Sequence, residues 1–367
     1  MAVSRINEAG LNINQYGNRN LIINGAMQVA QRATSVSVTD GTNEGYQSLD
    51  RYSFIYGNNA GGVATISQDT TVPSGQGFSS SYKVDVTTAD TSVASTHQVY
   101  FRQIIEAQNI RNSGWNYTDS TGNSKLTVSF WARSSKAGIY CLCLRDVDAS
   151  GNMYYVKEYT LVADTWKHVT CSVPSNSSLV FNNDNNSGLQ VIWNLVAGTD
   201  RNNATDGAWN TADTSLATSN QVNFFDSTSN DFYLTGVQLE VGDTATDFEH
   251  RTFADELARC QRYYFKISGT NALIGHGFYY GSTEVDVLVT FPVPFRATPT
   301  VTSSNNTDDF IFQHYSDTFN TFGGIQYYNG DSLNMYAQAN VSGTGGQAGY
   351  VRVNNTSTGQ VEFSSEL

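Results

Sequence analysis

The hydrophobic period of the chain changes sharply within residues 232–265, FYLTGVQLEVGDTATDFEHRTFADELARCQRYYF. Tyr233, Thr235, Val237, Leu239 and Val241 alternate with their neighbours and predict a strand over Phe232–Val241, because every second side chain of a strand points to the same side. Gly242-Asp243 ends that pattern and a short polar loop follows. From Thr252 the period lengthens: Phe253, Leu257, Cys260 and Tyr264 stand at i, i+4, i+7 and i+11, one stripe of a helix. Thr252 is placed to cap it, with Asp255 three residues on, and Asp255 and Arg259 have i, i+4 spacing. The stretch reads as the closing strand of one β-domain and a helical hinge into the next.

Upstream, short apolar-alternating segments are separated by turn residues. Asn20–Arg32 predicts a strand with Leu21, Ile23, Met27 and Val29 on one face, and Gly25 marks a bulge or a close backbone approach. Strands are also predicted over Ser48–Tyr56, Val63–Gln68, 81–88, Ser124–Arg133, 165–174, 189–197 and Val222–Phe225, with Ile139–Val147 and Met153–Thr160 as a hairpin. Tyr100–Asn112 fits either a helical turn or a strand followed by a turn, and Gly198–Asn220 has the composition of an exposed loop. Downstream, Glu284–Phe295 alternates most cleanly, with Val285, Val287, Val289, Phe291, Val293 and Phe295 on one face and Pro292 and Pro294 confining its end to a sheet edge. Together with Tyr263–Ile267, Ala272–Tyr280, Thr298–Ser303, Phe310–Tyr315, Gly324–Tyr328, Ser332–Ala339, Gly349–Asn354 and Gln360–Phe363, this gives about eight strands.

The predicted architecture is all-β: a jelly-roll β-sandwich, a short linker helix, and a smaller antiparallel β-sandwich. The expected divisions are an arm over 1–19, the jelly roll over 20–251, the helix over 252–266 and the second sandwich over 267–367. In the arm, Ile6, Leu11 and Ile13 are the anchors for docking onto a partner.

Composition narrows the function classes. Charged residues are 14% of the chain, against about 25% in an average soluble protein. Asn, Ser, Thr, Gly and Tyr are abundant instead, as in extracellular-type β scaffolds. The net charge of −13 and the lack of any Lys/Arg run speak against a nucleic-acid partner. No apolar run approaches the roughly 20 residues of a membrane-spanning helix, so membrane insertion is not expected. The N-terminal residues have no apolar signal-peptide core, which predicts a product made and folded in a cytoplasm.

Candidate chemistry is sparse. Cys141, Cys143, Cys171 and Cys260 have neither CxxC nor zinc-ligand spacing and are expected to be buried thiols. Asp146, Asp148, Ser150 and Gly151 imitate the start of a calcium loop, but the position of the bidentate glutamate falls on Lys157. No cofactor is expected, and structural calcium at loop carboxylates is left open without a place. None of the five histidines sits in a metalloprotease or hydrolase motif, and the acidic pair Glu284 and Asp286 on one strand face matches ordinary solvated pairs, so an enzyme is not expected. The aromatic residues offer another handle. Tyr279, Tyr280, Tyr315, Tyr327, Tyr328 and Tyr336 crowd the second domain, either as stacking platforms for a glycan or as core and subunit-interface rings.

Four stretches in order resemble virion proteins. NLIINGAMQVAQR followed by GYQSLDRYSF resembles the opening of a domain common in bacteriophage tail fibres, and LTGVQLEVGDTATDFEHR looks like its last strand. FADELARCQRYYFK looks like the connector that follows, and FPVPFRATPTV with the terminal VEFSSEL is similar to the C-terminal β-domain of those phage proteins. The resemblance covers roughly residues 20–367. It implies a carbohydrate-binding-module-like jelly roll, a β-sandwich tip and a virion role, in fibres that are generally homotrimers. On this basis the expected function is a short tail fibre that docks to other virion proteins, a tail adaptor or nozzle, and attaches to a host-surface polysaccharide. A head fibre or capsid decoration protein is the alternative, since no long shaft is present, and a polysaccharide depolymerase is the third reading. The stripe Phe253, Leu257, Cys260 and Tyr264 has two candidate partners, the chain's own two domains or the same helix of neighbouring subunits around a threefold axis, and the second makes it the expected subunit interface.

Overall fold

The computed structural model describes residues 19–148, 153–211, 215–314, 317–338, 340–354 and 358–367. The chain divides into two compact units, Met1–Phe253 with Leu367, and Ala254–Glu366. Ile6, Leu11 and Ile13 lie outside the described residues, as does Tyr315.

The first unit is a jelly-roll sandwich. Its strands are β1 Ser35–Val38, β2 Ser53–Gly57, β3 Val63–Asp69, β4 Ser81–Thr88, β5 Gln98–Glu106, β6 Lys125–Ser134, β7 Gly138–Asp146, β8 Met153–Leu161, β9 Lys167–Pro174, β10 Ser187–Ala197, β11 Ala208–Asn210 and β12 Asp231–Val241. They form two six-stranded sheets, β1-β3-β4-β12-β6-β9 and β11-β8-β7-β10-β5-β2. Between them lies an aromatic core. Trp193 stacks on Phe101 at 5.4 Å and meets Phe130 edge-on at 5.9 Å, arrangements that add roughly 0.5–1.5 kcal/mol beyond area burial. The undecided stretch 100–112 contains both alternatives: β5 runs into the single-turn helix α1, Ala107–Arg111.

Strand β12 is the organising element, and its bulge corrects the predicted face. Pairing with β6 slips between Thr235 and Gln238, at Gly236, whose φ is +63°. One extra residue inverts the alternation. Phe232 and Leu234 therefore enter the core before the bulge, and Val237 and Leu239 after it. Tyr233 points outward, under the guanidinium of Arg133 at 5.2 Å.

The expected strand over Asn20–Arg32 is instead an irregular turn. Asn24 and Met27 adopt left-handed φ values of 59° and 57°. The Asn24 side chain bonds within the turn, donating to the Val29 carbonyl and accepting from the Val29 N–H, a local competition that suits Asn better than a strand ladder does. The turn lies along the half of β12 that β4 leaves unpaired. Leu21 N–H donates to Leu239 O at 2.8 Å and Val237 N–H to Gly25 O at 2.9 Å. Gly25 is required there, since a Cβ would sit 2.2 Å from the Val237 carbonyl oxygen.

A polar clasp fixes this contact. The Asn20 side chain accepts from the N–H groups of Ile22 and Leu239, both at 3.0 Å, and donates to Val237 O at 3.0 Å. Arg251, from the far end of the unit, donates to Asn20 O at 2.6 Å and Ile22 O at 3.1 Å, while Glu249 accepts from Asn20 N–H at 2.8 Å. Gln238 and Glu240 of β12 hold the intervening loop: Gln238 accepts from Glu249 N–H, and Glu240 accepts from Thr246.

Three further expectations change. Val222–Phe225 is not a strand; Phe224–Asp226 forms a 3-10 turn because Asn223 accepts from Phe225 N–H. Gly198–Asn220 is an exposed excursion only in part: β11 pairs with β8, and Leu216 and Ala217 are buried on the outer face of their sheet, while residues 199–200, 203, 205–207 and 219–220 stay exposed. The strand predicted from Ser48 begins at Ser53, after Arg51 at a left-handed φ of 72°.

The second unit begins with helix α2, Phe253–Gln261, whose first residue groups with the first unit. Its strands are β13 Tyr264–Ser268, β14 Leu273–Tyr279, β15 Val285–Thr290, β16 Thr300–Ser303, β17 Phe310–Phe312, β18 Asp317–Phe319, β19 Gly324–Tyr328, β20 Ser332–Ala337, β21 Ala348–Val353 and β22 Gln360–Ser364. They form a three-stranded sheet, β13-β22-β16, and a seven-stranded sheet, β18-β17-β21-β14-β15-β20-β19. Among the described residues there are thus ten strands rather than about eight. The alternation from Val285 is as predicted, but pairing stops at Thr290, before the two prolines. Phe291 and Phe295 nevertheless stay in the core.

The clasp yields a stability prediction. Asn20→Ala removes one donor and one acceptor while leaving Leu239 N–H and Val237 O buried, a loss of about 2–6 kcal/mol if each orphaned group costs about 1–3 kcal/mol. Denaturant unfolding followed by tryptophan fluorescence measures it. A change under 0.5 kcal/mol would show that the clasp is not a stabilising feature.

Candidate functional site

The outer face of the seven-stranded sheet is built by the alternation of β14, β15 and β20. Val285, Val287 and Val289 face the core, so Asp286, Leu288 and Thr290 face out. Register then places specific side chains side by side. Phe278, Asp286 and Tyr336 form one row, and Tyr350, His276, Leu288 and Asn334 the next, with Tyr327 opposite Asn334 at the edge. Tyr327 is 74% exposed, and Leu288, Phe278 and Tyr350 also stand in solvent. Aromatic and aliphatic side chains thus stand outward on the sheet with polar groups beside them, which makes this face the candidate site.

The polar part of the face is a connected network. Gln326 donates to Glu284 and to Asp286, each at 3.2 Å, and accepts from Asn334 at 2.8 Å. Gln338 donates to the other oxygen of Glu284 at 2.5 Å. Asp286 is 4% exposed. Burial raises its pKa above the ordinary carboxylate value, and the neighbouring negative charge of Glu284 raises it further. The face thus offers amide donors, carboxylate acceptors and one carboxyl whose pKa is raised. Tyr336 is fixed because its ring lies over Gly323, where a Cβ would meet the ring at 2.6 Å.

The predicted tyrosines separate into distinct roles. Tyr327 and Tyr336 belong to this face, and Tyr280 is 71% exposed in the turn after β14. Tyr279 is a core residue: its ring meets Phe312 at 4.8 Å and its hydroxyl donates to Asp317 at 2.5 Å. Burial pushes its hydroxyl pKa up. Tyr328 is half-buried, donating to the carbonyls of Phe295 and Gly330. The register of β14 against β15 decides these assignments. Phe278 and Tyr350 were missed as candidates, although their alternation with Gly277 and Gly349 marks them as outward residues.

The other candidate groups are placed as follows. On α2, Cys260 is fully buried and Leu257 half-buried, while Phe253 is 56% exposed; Tyr264, on β13, is buried. All four cysteines are free, buried thiols; burial pushes Cys141 up to about 11 and Cys171 up to about 12. Asp146 and Asp148 bind protein rather than standing free. Asp148 accepts from the Asn182 side chain at 2.8 Å and from its backbone N–H at 2.5 Å. Among the described residues no group of three His, Cys, Asp or Glu side chains is placed to hold a metal ion, and no helix is long and apolar enough to cross a membrane.

No family model matches the sequence, and no curated protein matches it. Solved structures do match. A CBM4 protein is 14% identical, with 60% of this chain and 98% of that one covered and a TM-score of 0.30. TmCBM61 in complex with β-1,4-galactotriose is 10% identical, covering 61% and 99%, with a TM-score of 0.26. The family 11 carbohydrate-binding module from Clostridium thermocellum, in complex with a β-1,3-1,4-mixed-linked tetrasaccharide, is 9% identical, covering 59% and 99%, with a TM-score of 0.27.

The carboxyl pair predicts a pH effect on stability. A carboxyl whose pKa is raised in the folded state binds more protons there than when unfolded, so stability falls as pH rises from the ordinary carboxylate value through the raised one. Asp286→Asn removes this pH-dependent penalty. Its melting temperature should exceed that of the wild type at pH 7 and converge on it as the pH drops towards 4. A constant difference across that range would refute the coupling.

Proposed function

We propose that the protein is a virion attachment protein, a short homotrimeric phage tail fibre whose C-terminal unit holds a host-surface polysaccharide without cleaving it. The observation that carries the glycan part is the outer face of the seven-stranded sheet. Tyr327 supplies an exposed ring, and Glu284, Asp286, Gln326, Asn334 and Gln338 supply donors and acceptors beside it. Sugar rings have apolar C–H faces and hydroxyl edges, and this pairing of ring and amide suits both. The virion part is supported by the order of the phage-like motifs. Their polar residues Asn20, Glu249 and Arg251 bond to one another, so the shared motifs encode the scaffold and leave binding surfaces free to differ.

A head fibre or capsid decoration protein is the second reading. It is favoured by the absence of any shaft-like element among the described residues, where the longest helix has nine residues. In either setting residues 1–18 would dock to other virion proteins, and the exposed Phe253 with half-buried Leu257 would contribute to a threefold seam.

Two experiments test the proposal. Tyr327→Ala should weaken binding of purified host-surface polysaccharide roughly tenfold, the scale of one lost stacking contact, with no reducing ends released by the wild type. Unchanged affinity would exclude this face, and released reducing ends would make the protein a depolymerase. Deleting residues 1–18 keeps Arg19, which bonds to the Asp247 carbonyl at 2.7 Å. The shortened protein should sediment as a trimer yet fail to join particles. A monomer would overturn the trimer, and normal incorporation would overturn the docking arm.

A further inference from the structure

The first unit carries a second cleft, on the outer face of the sheet that contains β12. Its floor is formed by Ser129 and Trp131 of β6, His168 of β9 and Gly236 at the bulge of β12. One wall is the loop Gly75–Phe78 and the other is the segment 245–250 that follows β12. The volume is about 370 Å³, at the lower end of the roughly 300–1,000 Å³ usual for ligand pockets. It suits one or two sugar-sized rings rather than a macromolecule.

The cleft is built by the sequence, not left over from packing. Gly236 has a left-handed φ of +63°, and a Cβ there would lie 2.6 Å from Phe78 and 3.1 Å from Trp131. Only glycine permits both rings to approach the floor. Phe78, Phe248 and His250 pack against one another, with ring centres 4.9–5.2 Å apart, and this triad joins the two walls. Glu240 and Gln238 anchor the 246–249 wall from below. The walls and floor are therefore preorganised, which lowers the entropy cost of binding.

Its chemistry is specific. Trp131 is half-exposed, and its indole lies 5.0 Å from the imidazole of His168, the planes tilted by 34°. Among the described residues the side chains of Gln76, Asp247 and His168 make no hydrogen bond or ion pair. Partial desolvation lowers the His168 pKa, which favours the neutral imidazole, able both to donate and to accept. No Lys or Arg lines the cleft, and Asp247 opposes an anion. A wholly apolar ligand would leave these polar groups unpaired. What remains is a flat, uncharged ligand with hydroxyls around an apolar face.

We propose that this cleft is a saccharide-binding site, in which one pyranose stacks on Trp131 and its hydroxyls bond to Gln76, Asp247 and His168. The site is separate from the face of the C-terminal unit, and it rests on the proposed function only in taking the ligand to be a glycan. The probe is the set of mono- to tetrasaccharides released by mild acid from the host-surface polysaccharide, titrated into the full-length protein by calorimetry. Two sites per protomer are expected for the wild type. Trp131→Ala should remove one of them, weakening it at least tenfold, and Asp247→Ala, at an exposed wall position, should weaken the same site with an unchanged unfolding midpoint. Tyr327→Ala should leave that site intact.

The outcomes separate the two readings. Binding unchanged in Trp131→Ala and Asp247→Ala overturns the cleft while leaving the C-terminal face standing. Loss confined to Trp131→Ala and Asp247→Ala, with Tyr327→Ala equal to wild type, supports the cleft and removes the C-terminal face. No saccharide binding by the wild type overturns both.

Discussion

The first unit depends on how the second half of strand β12 satisfies its outer edge. From Asp231 to Leu234 that edge is paired by β4. Beyond the bulge at Gly236 the partner strand has ended, while Val237 and Leu239 still sit at the centre of the sandwich with no water to bond their peptide groups. The turn from Asn20 to Gly25 fills that gap, and Arg251 and Glu249 lock it from the other end of the unit. Each buried peptide group left unpaired costs about 1–3 kcal/mol, against a total stability of about 5–15 kcal/mol for a domain. The closure is thus comparable in size to the whole margin of stability. It also explains why an irregular segment, which a sheet could not tolerate in its middle, is carried at a central position.

The same bulge links scaffold to surface. By inverting the alternation it turns Gln238 and Glu240 outward, and they bind the loop that returns towards Arg251. That loop becomes a wall beside Trp131, while the missing side chain at Gly236 makes the floor. One local irregularity closes the core, positions the C-terminal segment and opens a concave surface. Stability and concavity therefore cannot be varied independently here: a side chain at position 236 would strain the backbone and fill the cleft together.

Much of the fold was legible in the sequence because alternation survives wherever a strand is regular. The strands at 81–88 and Gly324–Tyr328 fall at the predicted positions, and the apolar row from Val285 to Val289 faces the core as its period requires. Legibility failed where side chains compete with the backbone ladder. Asn24 and Asn223 both draw backbone N–H groups to themselves, and the predicted strands at 20–32 and 222–225 are turns. It failed again at Gly236, where a single inserted residue reverses which face is buried. The polar stretch 198–220 misled for a different reason. Two of its apolar residues, Leu216 and Ala217, suffice to anchor it beside Tyr154 and Ile192, because they need only cover an already formed sheet, while residues 199–200, 203, 205–207 and 219–220 stay exposed. Candidate residues were legible by type but not by side: Tyr279 and Tyr280 are adjacent, yet one is core and the other is solvent, as strand geometry demands of neighbours.

The outer face of the seven-stranded sheet is costly in a way that packing does not require. Asp286 is buried beside Glu284, both on the outward side of a strand whose inner side already supplies the hydrophobic row. Threonine at 286 would satisfy the sheet equally well and avoid the repulsion. Gln326 and Gln338 then commit their amides to the two carboxyl groups, and Asn334 donates to Gln326 behind them. An arrangement that sacrifices stability to keep converging acceptors beside an exposed ring is expected where a ligand supplies the compensating hydrogen bonds. A glycan hydroxyl donating to Glu284 would lessen the repulsion that its charge exerts on Asp286, so binding at the proposed face and the raised pKa of Asp286 should be linked.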